Sequence, residues 1–259
     1  MRAAHYYKAK SLQDAYVTLK ANPKNAIIGG GLWMKKLGQN YDTLIDLSDL
    51  GLNQITEDKD NIYVGGSVTL REFETNGSIN KLFDGQIAFG VREIMGPAFR
   101  NMATVGGSIY GRYAFSDLVC ALLPLDVTVE LFPENKMTLE ELLNFKGRID
   151  GIVTRIVIKK ENGRGYFKKV KTTALDFPLI NFCIVKRNGK HYISVGSRPM
   201  VAALTHQAME AADNGKPFDE VAEVAVNELT FGDSTLISKD YRIDLTRVYV
   251  RRGLEEVNK

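Results

Sequence analysis

The sequence is poor in the residues that build metal centres. It holds two cysteines and three histidines in 259 residues. Cys120 and Cys183 lie in the apolar stretches LVCALLPL and INFCIVK, where a free thiol behaves as a small buried hydrophobe. There is no CxxC pair, and His5, His191 and His206 are not spaced as ligands. The chain therefore cannot supply an iron–sulfur or structural zinc site by itself. Charge of one sign is also scarce: the net charge is +3 and no run of five or six like charges occurs. That excludes the electrostatic footprint of a nucleic-acid binder. No apolar run reaches membrane-spanning length, and the opening MRAAHYYKAK lacks the apolar core of a secretion signal. These absences lead to the expectation of a cytoplasmic protein with no metal site, no nucleic-acid partner and no membrane partner. No nucleophile–base pair stands out, so no catalytic side chain is assigned.

What is present is ordinary for a globular chain, 44% hydrophobic and 25% charged. The length accommodates one large domain or two to three small ones. SLQDAYVTLKAN carries a helical stripe behind a serine cap at Ser11. NAIIGG, TLIDLSDL, NIYVGGS, VTVELF and GIVTRIVIKK read as strands. TLREFETN behind Thr69, GQIAFGVREIMG, SDLVCALLPL and MTLEELLNF behind Thr138 read as helices. Past residue 160, at KKENGRG, the texture changes to a meander, GRGYFKKVK, PLINFCIVKR and KHYISVGS. Asn188-Gly189 forms its hairpin turn. Three helices follow, in MVAALTHQAMEAADN, FDEVAEVAVNEL and KDYRIDLTRVYVRRGLEEV.

Glycine is clustered in two distant places, IIGGGLWMKK and TVGGSIYGRYAFSD. A dinucleotide fingerprint fails, because Met34 stands where the last glycine of G-x-G-x-x-G is required. A P-loop fails because no GK[ST] follows. Successive backbone N–H groups in glycine turns form anion-binding nests, so two such turns together are able to hold a diphosphate without a basic side chain. Tight turns with no ligand are the competing reading.

The order of IIGGGLWMKK, TLIDLSDLGLNQI, IYVGGSVTLREFE, IMGPAFRNMATVGGSIYGRYAFSDL and SKDYRIDLTRVYVRRGLEE resembles the FAD-binding medium subunit of the molybdenum hydroxylases, the xanthine dehydrogenase and carbon monoxide dehydrogenase group. The resemblance covers nearly the whole chain, and RNMATVGGSI with Asp117 downstream is its most specific part. It implies an α+β fold: an FAD-binding PCMH-type domain, like that of vanillyl-alcohol oxidase, over residues 1–160. Two α/β subdomains, about 1–55 and 56–160, make up that domain. A small C-terminal α+β domain over 161–259 follows, of the type found in carbon monoxide dehydrogenase flavoproteins.

By the same resemblance, Ile27, Ile28, Gly29, Gly30, Gly31, Leu32 and Trp33 form the first loop, whose amides hold the FAD pyrophosphate. Thr104, Gly106, Gly107 and Ser108 wrap its other side, and Ile109 and Tyr110 continue that loop beside the flavin. Asp117 accepts hydrogen bonds from sugar or ribityl hydroxyls; as an alternative it caps the helix SDLVCALL, where Ser116 serves equally well. Lys168 brings a cation near the isoalloxazine ring, with Lys169 next to it. Three positions, in the two loops, depart from the family. Leu32 and the only tryptophan, Trp33, replace threonine and aspartate in the first loop, and Ser108 replaces asparagine in the second.

The function implied is electron transfer. A 2Fe–2S small subunit and a molybdenum-cofactor large subunit are the implied partners, and NAD or another molecule is the acceptor. A degenerate, weakly FAD-binding structural or assembly component is the second reading, motivated by the altered first loop.

Overall fold

A computed structural model describes residues 1–259. The chain opens with β1 (Arg2–Lys8), α1 (Leu12–Ala21), β2 (Ala26–Ile28), α2 (Leu32–Leu37) and β3 (Asn40–Asp46). Both β1 and β2 run parallel to β3, giving a three-stranded sheet in the order β1-β3-β2. Parallel neighbours need crossovers, which α1 and α2 supply. Ser11 caps α1, its side chain accepting from Asp14 N. The helix buries Ala15 and Leu19 against Ile45, Leu47 and Ile152.

Next come β4 (Ile55–Glu57), β5 (Asn61–Gly65), α3 (Leu70–Thr75), α4 (Gly77–Lys81), a 3₁₀ turn (Leu82–Gly85), α5 (Gln86–Arg92), α6 (Pro97–Arg100), α7 (Val105–Tyr110) and α8 (Asp117–Leu122). They are followed by β6 (Val127–Phe132), β7 (Asn135–Thr138), α9 (Leu139–Asn144) and β8 (Ile152–Lys159). A five-stranded sheet forms in the order β4-β5-β8-β6-β7. Strand β6 alternates buried and half-buried residues, the period-two pattern of a strand packed on one face.

The remainder is β9 (Gly163–Val170), β10 (Ile180–Arg187), β11 (Lys190–Gly196), β12 (Ala203–Leu204), α10 (His206–Asp213), α11 (Phe218–Glu228) and α12 (Lys239–Val257). Its antiparallel sheet, β12-β11-β10-β9, turns between β10 and β11 through Asn188 and Gly189, with φ of 50° and 77°. Ile180, Phe182, Ile184, Ile193 and Val195 of that sheet bury themselves against Ala208, Val221, Ala225, Val250 and Leu254.

The chain forms two compact units that are discontinuous in sequence. Met1–Phe73, Gly96–Gly111 and Val127–Ile158 make the first; Glu74–Met95, Arg112–Asp126 and Lys159–Lys259 make the second. Three segments differ from the sequence expectation. MRAAHYYKAK contributes strand β1, although almost every residue in it is exposed; it is held by the backbone ladder to β3. The helix expected from Met200 starts only at His206, because Ala203 and Leu204 pair with Val195 and Ser194 of β11. The second glycine segment is itself a short helix, α7.

Candidate cofactor site

In the first unit the two glycine segments touch. A Cβ on Gly29 would lie 2.6 Å from Thr104 Oγ1, and one on Gly30 would lie 1.9 Å from the Met102 carbonyl oxygen. No real side chain tolerates that second distance, so Gly30 is required for the backbones to meet. Gly31 has φ +69°, a left-handed conformation that favours glycine, and it turns the chain from β2 into α2. None of the turn, loop or cap hydrogen bonds is donated by the N–H groups of Gly29, Gly30, Gly31 or Leu32. Ile27 and Ile28 fix the start of the segment in β2, facing Ile45 and Asp46 of β3. Trp33 follows in α2, with Lys36 Nζ 5.0 Å from its ring centroid.

The second segment starts at Thr104, which caps α7 by accepting from Gly107 N at 3.2 Å. Ser108 Oγ donates back to Thr104 O at 2.8 Å, so the hydroxyl that replaces the family asparagine is engaged within the helix. Gly106 N donates to Gly66 O at 2.8 Å, and a Cβ on Gly106 would stand 2.7 Å from that same oxygen. Gly66 is thus a third member of the glycine junction. The repeated glycine at the end of NIYVGGS was the signal for it, and the strand reading passed over it. Gly107 is exposed and Ile109 is fully buried. Tyr110 donates its hydroxyl to Ile149 O at 3.1 Å, so it packs and bonds within this unit.

Asp117 belongs to the second unit. Ser116, not Asp117, caps α8, accepting from Val119 N. Asp117 is buried at 4% exposure and receives two donors, Asn181 Nδ2 on Oδ1 at 2.7 Å and Lys169 Nζ on Oδ2 at 3.1 Å. Lys169 Nζ also donates to Gly90 O at 3.1 Å. Burial pushes the Asp117 carboxyl up and the Lys169 ammonium down, each partly opposed by the other's charge. Lys168 stands apart from this group, with its Nζ 5.5 Å from the Tyr249 ring centroid. Side chains alternate along β9, and the alternation gives the buried position to Lys169. Neither Lys169 nor Asn181 was assigned a role from sequence.

The glycine junction and its undonated N–H groups are the features a pyrophosphate cradle needs. The family described as the FAD-binding domain in molybdopterin dehydrogenase matches residues 2–158. This chain belongs to that family. FAD is accordingly its cofactor, and the family's enzymes are oxidoreductases.

Relatives extend over the whole chain. The xanthine dehydrogenase FAD-binding subunit of Escherichia coli O157:H7 is 22% identical over 278 residues, covering 98% of this chain and 95% of that one. The nicotine 6-hydroxylase medium subunit of Paenarthrobacter nicotinovorans is 26% identical over 277 residues, covering 98% and 97%. Among solved structures, quinoline 2-oxidoreductase from Pseudomonas putida 86 superposes with a TM-score of 0.86 at 19% identity, over 98% of this chain and 96% of the other. At that identity the likeness establishes the fold, and the fold is the α+β one expected. No helix is long and apolar enough to cross a membrane.

Proposed function

We propose that the chain is the FAD-binding electron-transfer subunit of a multi-subunit molybdenum hydroxylase of the xanthine dehydrogenase type. The observation that carries this reading is the junction of Gly29–Leu32 with Thr104–Gly107, in which close backbone contact leaves four consecutive N–H groups undonated. Those amides, with the α7 segment against them, hold the pyrophosphate of FAD without a cation. Leu32 and Trp33 therefore cost the site side-chain hydrogen bonds, while the backbone donors persist. Asp117 accepts from sugar or ribityl hydroxyls. Lys168 is the cation assigned to the flavin ring by resemblance, and Lys169 is the buried one in the fold.

FAD supplies the reversible step that links one-electron carriers to a hydride acceptor. A 2Fe–2S small subunit and a molybdenum-cofactor large subunit are the partners of this reading, and NAD or another molecule is the acceptor. Two relatives named as FAD-binding or medium subunits, matched over nearly their full length, support it. A cytoplasmic location goes with that assembly. The family match ending at residue 158 supports a domain boundary near 160, with 161–259 after it; subdomains of about 1–55 and 56–160 before it are part of the proposal and rest on the resemblance alone.

Gly107→Val tests the cradle. Gly107 is exposed, and a Cβ there meets only the Thr104 hydroxyl, at 2.9 Å, so the cap hydroxyl must shift but no backbone segment is displaced, while the approach to the backbone is obstructed. The expected result is loss of bound flavin with an unchanged circular dichroism spectrum. Full flavin retention would sink the assignment of this loop.

A further inference from the structure

Strand β10 runs through the core of the second unit, and its residues Ile180, Phe182 and Ile184 are fully buried there. Between them stands Asn181, with no exposed surface. A buried amide is costly unless both its ends are bonded. Asn181 bonds one end only: Nδ2 donates to Asp117 Oδ1 at 2.7 Å, and Oδ1 has no partner. For stability alone, a β-branched apolar residue serves better at such a place. The amide is spent on Asp117.

The neighbouring strands are arranged around it. In the ladder, Asn181 faces Lys169 of β9 and Gly196 of β11. A Cβ on Gly196 would come within 2.3 Å of Asn181 Oδ1, so the glycine leaves the space that this rotamer occupies. Lys169 takes the other carboxylate oxygen at 3.1 Å. Paired residues of the neighbouring strands β9 and β10 thus deliver one donor to each oxygen of a single carboxylate at the first residue of α8.

We propose that Asn181 is a positioning residue for FAD, acting through Asp117: it fixes the carboxylate plane so that the remaining lone pairs keep one direction. This rests on the reading that Asp117 accepts from FAD hydroxyls. A carboxylate oxygen has capacity beyond one donor, and an acceptor oriented before binding loses less freedom when the ligand arrives.

The test is FAD titration of the apo-protein, by flavin fluorescence, for Asn181→Leu, Asp117→Asn and the double variant, with melting of each apo form. Asn181→Leu is expected to weaken FAD about tenfold, the scale of one hydrogen bond to a charged group, in the fraction that stays folded. The double variant is expected to bind no worse than Asp117→Asn alone, since both changes act on one group. Gly196→Ala, which crowds the amide without removing it, is expected to reproduce the affinity loss and serves if Asn181→Leu does not fold. If the wild-type chain takes up no FAD, the functional reading falls and this inference with it. If it does bind FAD, the inference alone is overturned by variants that bind as tightly as wild type, by an Asp117→Asn without effect, or by losses that multiply in the double variant.

Discussion

Lys169 and Asp117 face each other with side chains 3% and 5% exposed. Desolvation leads the shift of each, raising Asp117 and lowering Lys169. The signs follow. A raised carboxyl favours the protonated form in the fold, so its contribution is present at low pH and lost as pH rises through the native value. A lowered ammonium favours the neutral form, so its contribution is present at high pH and lost as pH falls. The charged pair is therefore kept at a cost to stability, as buried ion pairs commonly are. Lys169→Met strands the carboxylate and is expected to cost about 3–5 kcal/mol in urea unfolding of the apo-protein, with a larger deficit at pH 8 than at pH 5. Adding Asp117→Leu is expected to restore most of it. A Lys169→Met protein as stable as wild type at pH 8 contradicts this account. The thiols give a second check. Burial pushes Cys120 up to about 12 and Cys183 well up too, so neither is expected to react with a disulfide reagent at pH 8 until the chain unfolds. Rapid labelling of the native protein refutes that. Asp117 was legible in the sequence as a residue of interest, and its partners were not. Lys169 and Asn181 are brought to it by the register of β9 and β10, a long-range pairing that no local pattern encodes.

At the scale of elements, the capping residues were the most legible. Thr138 begins α9 with a reciprocal capping box, its side chain accepting from Glu141 N and the Glu141 carboxylate accepting from Thr138 N. Thr138→Ala is expected to cost about 1 kcal/mol, read by thermal or denaturant unfolding; no change contradicts the capping role. Strands with alternation, such as β6, and the Asn188-Gly189 hairpin were legible for the same reason, since their signal is local. Strand β1 was not, because its stability comes from backbone bonds to β3 rather than from a buried face. Helix α7 was hidden by its glycines, poor helix formers; its Thr104 cap and the packing of Gly106 on Gly66 override propensity. The glycine junction itself makes a prediction. Gly30→Ala places a methyl 1.9 Å from the Met102 carbonyl, so the two segments must separate. Loss of flavin together with a lowered melting temperature is expected, in contrast to Gly107→Val, where the fold is kept.

For the whole molecule, the family was legible because its motifs occur in order along almost the full chain, whereas the discontinuous make-up of the two units was not. Segments 74–95 and 112–126 join the second unit through tertiary contacts alone. The chain's own chemistry is limited to what a bound flavin and these side chains provide, so an FAD-loaded, isolated chain is expected to reduce a dye with NADH at most slowly and to hydroxylate no heterocycle or aldehyde. The most direct measurement is titration of apo-protein with FAD, following the fluorescence of Trp33, the single tryptophan, which stands in the first glycine segment. The account predicts saturable quenching at one FAD per chain and a yellow protein after gel filtration. A colourless protein whose tryptophan fluorescence is unmoved by excess FAD contradicts it, and leaves the structural or assembly role as the reading to pursue.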